Sequence, residues 1–154
     1  ACKTNCTLQI CGDGFIGPVE FWPNYLEEVR AAGKDDSQAR IVSMSYSDMW
    51  MMVSEDPERT IDEMAPHAYY QINTYAEWQE GAEWSVFTGM SLDDFKKAGV
   101  MKVLTPDEAI AYIKSRQDAA PIEAFCMQAP TGFPLARLAE HAELFANKVM
   151  PAFR

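Results

Sequence analysis

The side chains able to do chemistry are few and scattered along the chain. Cysteines stand at Cys2, Cys6, Cys11 and Cys126, and the first three are spaced by four and five residues. That is close to a metal knuckle, yet the run has no CxxC pair and no histidine nearby, so ordinary free thiols are expected and no metal. The two histidines, His67 and His141, both fall on helical stretches, where surface and packing roles are commoner than base catalysis. Tyr69, Tyr70, Gln71 and Asn73 lie close to His67, which leaves it a place in a polar pocket. No comparable set surrounds His141. No nucleophile, base and acid stand in a recognisable catalytic order.

Other stretches suit binding more than reaction. Cys11–Pro18, CGDGFIGP, places glycines after a short apolar segment, where backbone amides can approach a phosphate or a flat ring at a helix start. The same glycines serve equally in a tight turn, and the run is neither a dinucleotide fingerprint nor a P-loop. Met44, Met49, Met51 and Met52 with Trp50 could line a flavin or an apolar substrate, because thioethers and aromatic rings adapt to flat ligands; core packing is their commoner use. Trp78 and Trp84, on either side of Gln79-Glu80-Gly81, read either as a lid or as outer packing. The acid pairs Glu27-Glu28, Asp35-Asp36 and Asp93-Asp94 read as solvated faces and caps.

The elements that must carry these groups are arranged around Ala39–Asp56, the most apolar stretch of the chain. Its run from Ile41 to Val53 predicts a strand buried on both faces, as in parallel sheets. Before it, Phe15 and Ile16 predict a short strand. A helix from Val19 or Trp22 to Ala32 follows, on the spacing of Trp22, Tyr25, Leu26 and Val29, with Gly33 as its cap. After it, Glu55-Asp56-Pro57-Glu58 starts a helical segment to Gln79, with Ile61, Met64, Ala68, Ile72, Tyr75 and Ala76 on one face and Pro66 expected to kink or split it. Ser91–Ala98 predicts a short capped helix, and Thr105-Pro106-Asp107-Glu108 is a capping box that opens a helix to about Arg116. Pro121–Met127 predicts a strand, and Leu135–Val149 a last amphipathic helix with Leu138, Ala142, Phe145 and Val149 on its apolar face. Residues 1–10 show no clear period and read as an atypical lead-in.

The order is α/β, with residues 55–117 as a helical insertion between strands. At 154 residues with 48% hydrophobic content, the chain is expected to form one globular domain, 1–154, rather than a disordered one. Three strands make neither a closed barrel nor a covered open sheet. The chain therefore reads as part of a larger fold, or as a protomer that completes its sheet in a homo-oligomer. Its net charge of −10, without a basic cluster, argues against nucleic acid as a partner. No apolar stretch reaches the roughly 18–20 residues of a membrane span. Free thiols in a Met-rich acidic chain fit a cytoplasmic location, and the first residue, Ala1, fits a truncated or processed start.

Taken in order, several motifs resemble a known family. They are Asp13-Gly14-Phe15-Ile16-Gly17-Pro18, then Trp22-Pro23 and Tyr25 leading to Ala31-Ala32-Gly33-Lys34-Asp35, then Ser54-Glu55-Asp56-Pro57-Glu58-Arg59. His67, the run Tyr70-Gln71-Ile72-Asn73-Thr74-Tyr75-Ala76-Glu77-Trp78, Val103-Leu104-Thr105-Pro106-Asp107-Glu108-Ala109, Leu144-Phe145-Ala146 and Val149-Met150-Pro151 follow. Over about residues 11–154 the chain resembles the C-terminal part of the luciferase-like flavin-dependent oxidoreductases and monooxygenases.

The resemblance implies a partial (β/α)8 TIM barrel holding the last three strands, at Gly14–Ile16, Ile41–Val53 and Ile122–Met127, with the N-terminal half missing. It implies FMN or the deazaflavin F420 as cofactor and a small organic substrate. Because barrel sites sit at the carboxyl ends of strands, it singles out Gly14, Phe15, Ile16, Gly17 and Pro18 for the cofactor, and Tyr46, Ser47 and Gln128 for the substrate pocket, to which the polar neighbours of His67 add that residue. Two other functions stay open: a non-catalytic partial barrel that dimerises through its sheet edges, and a binder of an apolar ligand.

Overall fold

The computed structural model describes residues 8–11, 18–39, 41–44, 50–81, 91–119 and 121–154. Trp50–Val53 is strand β3, and every one of its four residues is buried. Trp50 and Met52 face one core, with Met64, Ala65, Ala68 and Ile72 of helix α2 (Pro57–Trp78) and Phe95 of helix α3 (Leu92–Lys97). Met51 and Val53 face the other, with Ala109 and Ile113 of helix α4 (Pro106–Ala119) and with Val149. The two-sided burial expected of this stretch is therefore present, and each such side chain contributes about 1.5–3 kcal/mol by leaving water. Trp50, Met51 and Met52 are used up in packing.

The stretch is not one strand, however. Ile41–Met44 forms β2 and pairs in a different sheet from β3. In the first sheet, β1 (Leu8–Cys11) and β5 (Ile122–Cys126) flank β2, and all three run parallel, with Leu8 opposite Ile41 and Met44 opposite Cys126. Strand β1 lies in the expected lead-in, where partner strand β2, rather than any local period, decides the conformation. The expected strand at Gly14–Ile16 falls outside the described residues. In the second sheet, β3 pairs in parallel with β4 (Met101–Leu104), Trp50 opposite Met101 and Val53 opposite Leu104.

Strand β4 corrects the expectation that residues 55–117 form a helical insertion. Its period of two is plain once seen, with Met101 and Val103 buried and Lys102 and Leu104 half-buried. Strong helix signals on both sides obscure it: Gly99, at φ +71, ends the turn after α3, and Thr105 caps α4. The two sheets are tied where the Met51 N–H donates to the Gln128 carbonyl at 3.0 Å, just beyond β5.

Of the kink or split expected at Pro66, the split is corrected, because α2 runs unbroken from Pro57 to Trp78. Proline removes one N–H and crowds the carbonyl four residues back. Here Pro66 and Asp62 are both exposed, so water can satisfy that carbonyl while the buried face keeps its packing. Helix α1 (Pro18–Ala31) presents Tyr25 and Val29 to a smaller cluster with Trp22, Leu26 and Ala39. At the C-terminus, α5 (Leu135–Leu144) passes into a π-helical turn at Phe145–Val149 and a 3-10 turn at Met150–Phe153. Ala142 is exposed, and His141 takes the buried place expected for it. Among the described residues no helix is long and apolar enough to cross a membrane.

Candidate functional site

The chain leaves β1 at Cys11, β2 at Met44 and β5 at Cys126. Because these strands are parallel neighbours, the three exits share one edge of the sheet, the carboxyl edge where α/β folds place ligands. The candidate cofactor residues Gly14, Phe15, Ile16 and Gly17 and the pocket candidates Tyr46 and Ser47 lie outside the described residues. In sequence they follow the first and second of these exits. Pro18 opens α1, at the first helical position where its missing N–H is not needed.

Gln128 follows the third exit, with its side chain exposed and its carbonyl engaged by Met51. His67 is half-buried on α2 and meets the next part of that segment, its ring edge-on to Phe133 at 6.0 Å. One turn on, Gln71 Oε1 accepts the Thr131 N–H at 2.9 Å. Of the polar residues around His67, Gln71 therefore fastens the segment after β5. His67 thus packs against the segment that begins at Gln128.

A cavity does lie at the carboxyl end of the other sheet, and its central residues were not foreseen. It has a volume of about 300 Å3, and its wall includes Ser54, Thr60, His141 and Leu144. Ser54, the first residue after β3, donates its N–H to the Leu104 carbonyl at 2.9 Å, extending the ladder by one rung. Its hydroxyl accepts the Asp56 N–H at 3.0 Å and shares a buried 2.8 Å hydrogen bond with the hydroxyl of Thr60, in the first turn of α2. Asp56 caps that helix by accepting the Arg59 N–H at 3.2 Å.

His141 forms the opposite wall from α5. It is 4% exposed and stacks on Phe133, with ring centres 6.1 Å apart. Its Nδ1 lies 2.7 Å from the Val53 carbonyl oxygen. A carbonyl can only accept, so Nδ1 carries a proton, and in the neutral form of the ring Nε2 is an acceptor. That Nε2 is buried and has no hydrogen-bond partner among the described residues. Leaving a buried polar atom unmatched costs about 1–3 kcal/mol.

The cavity rim is charged and braced. Glu63 accepts from Arg59 Nε at 2.9 Å through one carboxylate oxygen, and from Arg137 Nε at 2.9 Å through the other. Arg137 also pairs with Glu140, one turn along α5. The Arg137 hydrogen bond, and then that of Arg59, hold the Glu63 carboxyl below the ordinary glutamate range against partial desolvation. Glu63 in turn raises Arg137. The brace ties α2 to α5 across the cavity mouth.

The sequence held one usable signal for this site. His141 stands three residues after Leu138 and four before Phe145, so it occupies the helix stripe that packs inward, where a polar residue needs a partner. Among the described residues no group of three or more His, Cys, Asp or Glu side chains could hold a metal ion. No protein-family model and no curated protein sequence matches this chain.

Proposed function

We propose that the chain is the C-terminal portion of a luciferase-like flavin-dependent oxidoreductase, using FMN or the deazaflavin F420 on a small organic substrate. The observation that carries this reading is the order β1-β2-β5, three parallel strands that are neighbours in the same sequence as successive barrel strands, with the second sheet inserted between β2 and β5. It supports a segment of a (β/α)8 barrel. It also puts Cys11, Met44 and Cys126 at one sheet edge, which suits a ligand held there.

In this reading Gly14 to Pro18 approach the flavin with their backbone, because glycines allow close contact and the start of α1 favours anionic groups. Tyr46, Ser47, Gln128 and His67 lie toward the substrate. The flavin supplies hydride or oxygen chemistry when bound, and the protein's part is binding, orientation and exclusion of water. A cytoplasmic location and the absence of nucleic-acid and membrane partners belong to the same proposal. The rest of the barrel comes from the missing N-terminal half or from a second copy.

Titrating the chain with FMN and separately with F420, while following flavin fluorescence, tests the reading. Saturable quenching by one of them, weakened by Gly14→Val, supports it and chooses the cofactor. No response to either removes it. A second reading, a non-catalytic partial barrel that dimerises, draws on the outer edges of β1 and β5, each of which pairs only with β2 among the described residues. A dimer on size-exclusion chromatography with no flavin response selects that reading.

A further inference from the structure

We propose that the cavity between the end of β3, the start of α2 and helix α5 binds a small amine, with His141 Nε2 accepting from its ammonium group. The site stands apart from the flavin reading, since it is built on the exit of β3, the start of α2 and helix α5 rather than on the exits of β1, β2 and β5.

The first argument is the orphaned acceptor. The Val53 carbonyl selects the Nδ1–H tautomer of the neutral ring, which leaves a lone pair on an Nε2 that has no partner among the described residues, in a ring that forms part of the cavity wall. An ammonium group carries three N–H donors and no acceptor, so one of them answers this atom and the other two are left for the acidic groups of the wall.

The second argument is charge. Glu55, Asp56 and Glu140 line the cavity against Arg59 and Arg137. Both guanidiniums are already bonded to Glu63, whose carboxylate adds a fourth negative group. The local balance is negative, in a chain of net charge −10, so cations are drawn in and anions repelled.

A helix start often holds an anion, but here two of its donors are taken and a third is missing. Ser54 receives the Asp56 N–H, Asp56 receives the Arg59 N–H, and Pro57 has none to give. The bonded Ser54 and Thr60 hydroxyls use one hydrogen between them and leave the other to donate. An amino alcohol meets both features, and a cavity of about 300 Å3 admits only a small one.

The test reads the imidazole nitrogens of the 15N-labelled chain by long-range proton–nitrogen correlation, with His67 as internal control. The chain is titrated at fixed pH and ionic strength with 2-aminoethanol, with glycerol and with inorganic phosphate. The expected result is a saturable shift of His141 Nε2 with 2-aminoethanol alone, and an affinity about two- to fivefold weaker in Glu140→Gln, the scale of one rim charge. An equal response to glycerol overturns the ammonium assignment, a response to phosphate overturns the charge argument, and no response to any probe overturns the site.

Discussion

His141 Nδ1 lies 2.7 Å from the carbonyl oxygen of Val53, across 88 positions of sequence. The bond ties the last long helix to the end of the central strand, and it places the ring against Phe133 as well. His141→Ala removes the hydrogen bond and opens a void between α5 and β3. The expected loss is about 2–4 kcal/mol, read as a lower urea midpoint with unchanged slope. A loss under about 0.5 kcal/mol would mean that the ring is not anchored there.

Gly132 has φ +86, and a Cβ built on it would stand 3.4 Å from His67 Nδ1, an ordinary contact. Backbone strain rather than collision therefore sets the cost of a side chain. Gly132→Ala should lose about 1 kcal/mol in chemical denaturation. Adding His67→Ala should not recover it, so the double-mutant coupling should be near zero. Substantial recovery would show that His67 is the obstacle.

What could be read from the sequence was mostly local. The caps at Ser91 and Thr105, the helix ends at Gly33 and Gly99 and the two-sided burial of Trp50–Val53 rest on neighbours a few residues away, and the structure has them. What could not be read depends on distant partners. Leu8–Cys11 is a strand because β2 lies beside it. Met101–Leu104 is a strand because β3 does, and Pro66 is tolerated because of which side of α2 faces water. The polar cavity belongs to the same class, since Ser54 and Thr60 are ordinary helix-start residues until α5 brings His141 across them. Of the residues expected at the flavin edge, Pro18, His67 and Gln128 are described, and none of these three has its role settled by local spacing.

The capping box at α4 is asymmetric. Glu108 accepts from both the Thr105 N–H at 2.9 Å and the Thr105 hydroxyl at 2.8 Å, whereas the return bond from the Glu108 N–H to that hydroxyl is a long 3.4 Å. Thr105→Ala should therefore cost about 1 kcal/mol. Thr105→Ser keeps the hydroxyl and should recover most of that. If serine is as damaging as alanine in thermal or urea unfolding, the threonine methyl matters and the cap does not.

Glu63 gives the clearest dependence on pH. Its carboxyl is held below the ordinary value of 4.5, first by the hydrogen bond from Arg137 and then by that from Arg59. Between the depressed folded value and 4.5 the unfolded chain binds more protons than the folded one, so stability rises with pH in that window. The contribution is complete above 4.5 and is lost as pH falls through the folded value. Side-chain exposures of 31% for Glu63 and 29% for Arg137 limit it to no more than about 1 kcal/mol. Glu63→Gln should accordingly lower the urea midpoint at neutral pH, and the gap from the parent chain should close as the solution is acidified below 4.5. Raising the salt concentration should narrow the gap at neutral pH too, because a rim pair is screened. A gap that stays constant across the acid range would mean that Glu63 braces α2 to α5 by hydrogen-bond geometry alone, with its charge contributing nothing.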